Sequence, residues 1–219
     1  MHQLDVNLLL RAYAAGVFPM SDSRDATDIF WVEPHRRGIL PLDHFHLSRS
    51  LAKTIRNDHF RVTVDEAFGD IIAACAEPAH DRPKTWINRQ IEAACLTLHS
   101  RGHAHSIEVW DGDHLAGGLY GIALGGAFFG ESMFSRARDA SKVALVHLVA
   151  RLRLGGFVLL DTQFLTPHLS QFGAHEISRA DYKRRLNAAT GIAAAWPAAP
   201  DRAALEAEIR AMRPDGAAR

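Results

Sequence analysis

The sequence predicts an α+β protein with a mixed sheet, preceded by a small N-terminal domain. Two glycine turns, Asp111-Gly112 and Gly125-Gly126, join three consecutive strand-like segments into a predicted antiparallel meander. A later run, FVLLDTQF, is continuously apolar until its polar end, which is typical of a buried central strand. Segments with helical spacing are interspersed with these strands from residue 60 onward.

Residues 1–59 are predicted to form the small N-terminal domain, which is rich in loops. The segment from Leu4 to Ala15 has the apolar spacing of a helix and stops at Gly16. The stretch after it, VFPMSDSRDATDIFWVEPHRRGILPLD, is rich in Pro, Asp and Arg. We therefore expect irregular structure there.

Residues 60–188 are predicted to form the main domain. The predicted strands span residues 60–64, 104–110, 114–124, 127–134, 157–164 and 175–177. The predicted helices span residues 66–76, 86–100, 140–153, 167–172 and 178–186. Asp65 and Thr166 are expected to cap the helices that follow them, since short polar side chains accept hydrogen bonds from the first free backbone N–H groups. Gly102 stops the second helix, because glycine readily adopts the left-handed conformation.

This order of elements is similar to that of the acyl-CoA N-acetyltransferase fold. In that fold, the strand after the meander pairs in parallel with the meander's last strand. The main domain is accordingly predicted to be an acetyltransferase-like catalytic domain. Residues 189–219 are rich in Ala and Pro, and we expect a poorly ordered tail with at most a short helix at 202–213.

Composition excludes several classes of protein. The chain has 219 residues, 47% hydrophobic and 23% charged, so most of it is globular. Its 25 basic and 25 acidic residues balance, which argues against non-specific coating of nucleic acid. The N-terminus lacks the pattern of a signal peptide, and the apolar stretch at 115–130 is too short to span a membrane. Cys75 and Cys95 are expected to be buried thiols, so we predict a cytoplasmic protein.

Three polar residues on predicted strands are candidates for chemistry. Glu131 lies in an otherwise apolar strand, where an acid must find a partner or shift its pKa. Asp161 and Gln163 are two apart near the carboxyl end of their strand, so both side chains are expected on one face. Asp161 is expected to hold the Gln163 amide, whose oxygen then faces an amine. A structural Glu131 and an Asp161 that caps a turn are the alternatives.

A basic loop and two tryptophans are candidates for binding nucleic acid. Arg136, Arg138 and Lys142 precede or begin a predicted helix, whose free N–H groups favour an anion such as phosphate. Trp31 and Trp86 could stack on nucleobases, although core packing and a merely solvated loop remain open alternatives. The sequence has no glycine-rich pyrophosphate loop, which counts against coenzyme A.

Paired histidines raise the question of a metal. His103 and His105, and likewise His44 and His46, are two apart. A zinc site needs three or four ligands, and neither HExxH nor CxxC occurs. We predict no metal.

Several segments together resemble one family. TWINRQ, GHAHSIEVWDGDHLAGGLYG, FFGESMFSR, DASKVAL and LLDTQ, in this order, look like the leucyl/phenylalanyl-tRNA–protein transferases of bacteria, as do the N-terminal AYAAGVFPM and WVEPHRRGILPLDHFHLSRSL. The resemblance covers about residues 4–186. It implies an acetyltransferase-like domain and transfer of Leu, Phe or sometimes Met from aminoacyl-tRNA to N-terminal Arg or Lys of proteins, which marks them for degradation. It implies no cofactor.

The resemblance also implies roles for individual residues. Glu131 matches the acid at the reaction centre, and Asp161 and Gln163 match the pair that handles the attacking amine. Trp31 and Trp86 match residues that hold the terminal adenosine of the tRNA. Four apolar residues match the lining of the amino-acid pocket: Leu119, Phe128, Met133 and Leu148. The basic residues Arg136, Arg138 and Lys142 are expected to hold tRNA phosphates.

Other functions remain open at the level of the sequence. The chain could be an acyl-CoA N-acetyltransferase, a transferase for acidic N-termini, a non-catalytic protein that binds tRNA 3′ ends or, last, a zinc hydrolase. The proton acceptor, the preference between Leu and Phe, the natural targets and the oligomeric state are not determined by the sequence.

Overall fold

The computed structural model describes residues 4–78 and 84–213, whose regular elements are as follows. The helices are α1 (Val6–Ala14), α2 (Arg49–Arg56), α3 (Phe68–Ala76), α4 (Arg89–Ser100), α5 (Ala140–Leu154), α6 (Pro167–Ser170), α7 (Arg179–Thr190) and α8 (Arg202–Ala211). The strands are β1 (Phe18–Met20), β2 (Phe30–Val32), β3 (Arg36–Ile39), β4 (Arg61–Val64), β5 (Ala104–Asp111), β6 (His114–Leu124), β7 (Ala127–Ser135), β8 (Leu159–Gln163) and β9 (His175–Ser178).

The main sheet has seven strands in the order β4-β5-β6-β7-β8-β3-β9. β5, β6 and β7 form the predicted antiparallel meander, with Ile107 opposite Leu119 and Leu119 opposite Met133. β8 pairs with β7 in parallel, and Phe128 lies opposite Leu160. The predicted α+β class and mixed sheet are therefore confirmed, as is the parallel pairing that follows the meander.

β3 differs from expectation, since it comes from the segment predicted to be irregular. It inserts between β8 and β9 and pairs antiparallel with both, for example through Gly38 with Gln163 and Arg37 with Ile177. Its sequence, RRGI, has no alternating apolar pattern and so does not indicate a strand. It is a strand because its backbone N–H and C=O groups pair with those of the two neighbouring strands. The main sheet consequently recruits residues that precede position 60.

The small N-terminal domain consists of α1 and the β1–β2 hairpin. Asp5 caps α1, where its carboxylate accepts hydrogen bonds from the backbone N–H groups of Asn7 and Leu8. β1 and β2 pair antiparallel, with Pro19 opposite Trp31. The domain packs on one face of the main sheet, because Leu9 and Tyr13 share a buried cluster with residues of α4 and α7.

The expected cap at Asp65 is wrong. α3 begins at Phe68 after Ala67, without a side-chain cap. Asp65 adopts a left-handed conformation (φ 60°), and its carboxylate accepts the backbone N–H of Ser106 at 2.8 Å. The carboxylate faces β5 and the C-terminal segment because both supply hydrogen-bond donors, the backbone N–H of Ser106 and the indole N–H of Trp196.

The core lies on both faces of the sheet. α5 covers one face, where Leu145, Leu148 and Leu152 are buried. α1, α3, α4 and α7 cover the other face. Cys75 and Cys95 are buried on this second face, as predicted. In the part of the chain that is described, no helix has the length and apolar character needed to cross a bilayer.

The C-terminal segment also differs from expectation. Residues 191–213 pack on the domain instead of forming a poorly ordered tail, and α8 lies against α5 with Ile209 and Met212 buried. Trp196 packs against the cluster beneath α5. The apolar residues scattered among the alanines hold the segment in place, because burying each of them removes apolar surface from water. Residues 214–219 of the predicted tail lie outside the described residues.

Candidate active site

A cleft of about 910 Å³ opens where β7 and β8 run side by side in parallel and α5 covers them. β6, β7, β8 and α5 supply its apolar lining, which includes Leu119, Met133, Leu148 and Leu160. Trp86 and residues of the N-terminal hairpin border it. Clefts of this size with few polar groups are typical of small-molecule sites.

Seven residues predicted from the sequence line this one cleft. They are Glu131, Gln163, Trp86, Leu119, Met133, Leu148 and Arg136. Their meeting is largely a consequence of the sheet order, because β6, β7 and β8 are neighbours and α5 packs against β6 and β7. The cleft thus has an apolar region with polar groups beside it.

Glu131 is the acid of the cleft, and both expectations for it are met. It has a partner, since the hydroxyl of Tyr13 on α1 donates a 2.8 Å hydrogen bond to its Oε1. Its pKa is also raised to about 8: burial raises it most, the Tyr13 hydrogen bond lowers it, and the charge of Asp161 raises it further. Glu131 is therefore largely protonated at neutral pH when the cleft is empty.

We expect the stability of the protein to depend on pH through Glu131. A carboxyl group with a raised pKa binds its proton more tightly in the folded than in the unfolded chain, so stability falls as pH rises from about 4.5 to about 8. Glu131→Gln removes this titration while keeping the shape of the protonated acid. The free energy of unfolding of the variant, minus that of the wild type, should increase with pH across this window, by at most about 1.4 kcal/mol per pH unit.

Urea unfolding at pH 5, 6, 7 and 8 measures this difference. Glu66→Gln is the matched control, because Glu66 is an exposed glutamate, 65% accessible, outside the cleft. Its difference from the wild type should be almost constant over the same range. A constant difference for Glu131→Gln as well would show that Glu131 ionises normally.

Asp161 lies beneath the cleft, completely buried. Its carboxylate binds Arg37 of β3 through two hydrogen bonds, of 2.9 Å from Nε and 2.6 Å from Nη2. The Tyr182 hydroxyl donates a third at 2.7 Å. The backbone N–H of Gln163 donates a fourth at 2.8 Å. The expectation that Asp161 holds the side-chain amide of Gln163 is therefore corrected, because the carboxylate binds the main chain of Gln163 and faces β3.

Arg37 is the principal residue that sequence reasoning missed. Its guanidinium lies between the rings of Phe18 and Tyr182, 4.5 Å from each centroid, and is 1% exposed. Nη1 donates to the carbonyl oxygen of Gly16, so the N-terminal domain is tied to the same ion pair. No signal in the run PHRRG distinguishes this buried arginine from its exposed neighbour Arg36. The partner of Asp161 became visible only when β3 was placed beside β8.

Gln163 is held in a strained conformation at the end of β8. Its φ is 56°, a left-handed value that a residue with a side chain adopts only when its surroundings impose it. The hydrogen bond from its N–H to Asp161 and its pairing with Gly38 supply that constraint. Its Nε2 is buried and makes no hydrogen bond with the described protein, so the amide is available to a ligand.

Two other residues that line the cleft also have a buried polar atom without a hydrogen bond to the described part of the chain. Thr162 Oγ1 and His168 Nε2 are buried and have no hydrogen-bond partner among the described residues. Burial, aided by the charge of Lys142, lowers the pKa of His168, which is neutral at pH 7. No pattern in the sequence identified these two residues as members of the site. Together with Gln163 they form the polar side of the cleft.

The remaining predicted residues lie outside the lining of the cleft. Trp31 is 40% exposed on β2, and Phe128, on β7, is completely buried. Arg138 is 94% exposed, with its Nε 3.7 Å from Asp139 Oδ2, and Lys142 pairs with the same carboxylate at 2.9 Å. Arg136 does reach the cleft, where Glu77 accepts from its guanidinium at 2.9 Å. All three bases of the predicted phosphate site are therefore within ion-pair distance of carboxylates.

The histidine pairs do not assemble a site. His105 Nδ1 lies 2.8 Å from Asp65 Oδ2, beneath the C-terminal segment. Across residues 4–78 and 84–213, no three His, Cys, Asp or Glu side chains are grouped so that they could hold a metal ion.

Comparison with known proteins supports one family. The family profile for leucyl/phenylalanyl-tRNA protein transferase matches residues 39–187, and the profile for the N-terminal domain of that family matches residues 2–35. A relative of that name from Rhizorhabdus wittichii is 64% identical over 91% of this chain and 80% of its own length. One from Zymomonas mobilis is 61% identical over 86% of this chain and 70% of its own length. A third, from Paramagnetospirillum magneticum, shares 61% identity over 85% of this chain and 89% of its own.

Solved structures add little to this result. That of L-PGS from Bacillus licheniformis aligns with a TM-score of 0.42 and 11% identity over 73% of this chain and 53% of that chain, which is too weak to establish a shared fold. The family profiles, in contrast, match residues 2–35 and 39–187, and the relatives match along most of their own length. The chain therefore belongs to the leucyl/phenylalanyl-tRNA protein transferase family.

Proposed function

We propose that this protein transfers leucine or phenylalanine from aminoacyl-tRNA to the α-amine of proteins that begin with Arg or Lys. One observation carries the proposal: the apolar part of the cleft adjoins the polar groups of Glu131 and Gln163. An apolar amino-acid side chain and a reacting ester can thus be held side by side. Membership of the family supports the same activity.

The chemistry needs positioning more than strong bases, because an aminoacyl ester is already activated. The nucleophile is an α-amine with a reference pKa of about 7.7–8.0, so a useful fraction is unprotonated near neutral pH. Gln163 lies at the polar end of the cleft with a free amide, which orients the amine at the ester carbon. The Arg37–Asp161 pair holds the backbone of Gln163 and acts as a positioning group.

Glu131 is suited to recognise a cation in this reaction. With the cleft empty, its raised pKa favours the neutral acid, whereas a nearby ammonium or guanidinium group favours the carboxylate. The α-ammonium of the donor amino acid and the side chain of an N-terminal Arg or Lys are both candidates. Binding of either would therefore be accompanied by release of a proton from Glu131.

The donor tRNA would approach along Trp86. Its indole lines the cleft and could stack on the terminal adenosine, with Trp31 as a second exposed aromatic ring outside the lining. Arg136, Arg138 and Lys142 would exchange their carboxylate partners for phosphates. Phe128 would act behind the pocket rather than at its surface.

The lining residues also bear on selectivity. Leu119, Met133 and Leu148 offer no polar partner, so Leu, Phe and Met enter while charged side chains are rejected. We further propose an acetyltransferase-like architecture for the main domain, a cytoplasmic location, and a role of the product in marking proteins for degradation. Neither a metal nor a cofactor takes part in the proposed reaction.

A transfer assay tests the proposal. Purified protein is mixed with radiolabelled Leu-tRNA or Phe-tRNA and with peptides that begin with Arg, Lys, Asp or acetylated Arg. We expect label in the Arg and Lys peptides and none in the acetylated peptide, because acetylation removes the nucleophile. Transfer to Asp alone would overturn the acceptor assignment. Binding of tRNA without transfer to any peptide would indicate a non-catalytic binding protein.

A further inference from the structure

The C-terminal segment places Trp196 directly behind the cleft. Asp65 Oδ2 accepts a 2.9 Å hydrogen bond from the indole Nε1. The indole is stacked between His105, at 4.5 Å, and Phe128, at 5.5 Å, with interplanar angles of 17° and 16°. The chain reaches this position after α7, where Ala195 N donates to Gly155 O at 3.0 Å. A side chain at Gly155 would overlap the carbonyl oxygen of Ala195, so this close approach requires glycine.

Phe128 connects Trp196 to the lining of the cleft. It lies opposite Leu160 in the parallel pairing of β7 and β8, so the two side chains are neighbours on one face of the sheet. Leu160 and Leu148 line the cleft and share a buried cluster with Phe128. Phe128 also fills the space that a side chain at Gly121 would occupy. The ring is therefore fixed on several sides, and Trp196 covers one of them.

We propose that Trp196 is a positioning residue that sets the depth of the amino-acid pocket through Phe128. The inference rests on the proposed function, since it takes the cleft to be the pocket for the transferred side chain. With the indole in place, Phe128 supports Leu160, and Leu160 limits the depth of the pocket. Without it, Phe128 relaxes into the vacated space because close-packed interiors partly collapse around a cavity. The pocket then becomes deeper, and its affinity for phenylalanine rises relative to its affinity for leucine.

The test uses two probes that need no transfer reaction. They are 3′-amino-3′-deoxyadenosine acylated at its 3′-amine with leucine and the same nucleoside acylated with phenylalanine. Their Kd values are measured for the wild type, Trp196→Ala and Trp196→Leu in the full-length protein. We expect Trp196→Ala to shift the ratio of the two Kd values by about threefold to tenfold in favour of the phenylalanine probe. Trp196→Leu fills part of the space and should shift it less in the same direction.

Ile209→Ala is the matched control. It weakens the packing of α8 against α5, where Ile209 is 7% exposed and lines a second cleft whose lining includes neither Phe128 nor Trp196. Thermal unfolding reports the stability of each variant, and Ile209→Ala should leave the Kd ratio unchanged despite a lower Tm. If Trp196→Ala does not fold, Trp196→Leu decides the question.

An unchanged ratio in the folded Trp196 variants, with both Kd values shifted equally, would overturn the inference and leave Trp196 a stabilising residue. An equal shift of the ratio in Ile209→Ala would overturn it too. The parallel transfer assay with Leu-tRNA and Phe-tRNA keeps the two proposals separate. If the wild type binds both probes but transfers neither amino acid, the proposed function fails while the probes still test Trp196.

Discussion

Arg37→Met should destabilise the protein by about 3–5 kcal/mol. The substitution leaves the carboxylate of Asp161 completely buried and without its charged partner, held by only the Tyr182 hydroxyl and the Gln163 N–H. It also breaks the hydrogen bond to Gly16 that ties the N-terminal domain to the sheet. Urea unfolding at pH 7 measures the change in the free energy of unfolding.

Arg36→Met is the matched control for this prediction. Arg36 is the preceding residue on β3, and it pairs with Glu176 at 3.5 Å on the surface, where its side chain is 61% exposed. Exposed ion pairs contribute about 0–1 kcal/mol, so this variant should be nearly as stable as the wild type. Equal losses for the two variants would mean that the Arg37–Asp161 pair has no special importance.

Gln163→Ala should lower kcat/KM for transfer to an Arg peptide by about 10²–10³, the usual loss when one positioned polar group at a reaction centre is removed. The main-chain bond to Asp161 survives, so the effect isolates the side-chain amide. The left-handed φ of 56° is strained for alanine as it is for glutamine, so the substitution should change the backbone strain little, and unfolding measured beside activity checks this.

Two further variants test the role of the amide. Gln163→Asn tolerates the left-handed conformation and retains a shorter amide, so it should be stable yet still impaired in transfer. Gln171→Ala removes an exposed amide just after α6 and should retain full activity. Undiminished transfer by Gln163→Ala would remove Gln163 from the mechanism and favour proton removal by the substrate or by water.

The sequence predicted the parts of the fold that have a local signal. The two glycine turns indicated the meander, and the apolar run before Asp161 indicated the central strand. β3 was missed because its pairing comes entirely from β8 and β9, and the C-terminal segment was missed because few of its residues are strongly apolar. Both depend on contacts between residues far apart in the chain.

The same division applies to the candidate site. Glu131 and Gln163 could be identified from polar residues in apolar strands, and the resemblance to known motifs named the lining residues Leu119, Met133 and Leu148. The partner of Asp161 could not be identified, since an arginine that becomes buried and one that stays in solvent look alike in sequence. Phe128 was assigned to the pocket by the resemblance, whereas the structure places it behind the lining.

The sequence by itself determined the residue types, the order of the elements from β4 to α7 and the resemblance to the family, because turns, apolar periodicity and motifs are local properties of the chain. Only the tertiary structure decided what each buried charge binds. Removing a charge from water is unfavourable unless a partner meets it, so Asp161 forms an ion pair with Arg37, and Glu131 lies beside Tyr13 with a raised pKa. Those partners come from α1 and β3, more than 90 residues earlier in the chain, and packing alone brings them to the cleft.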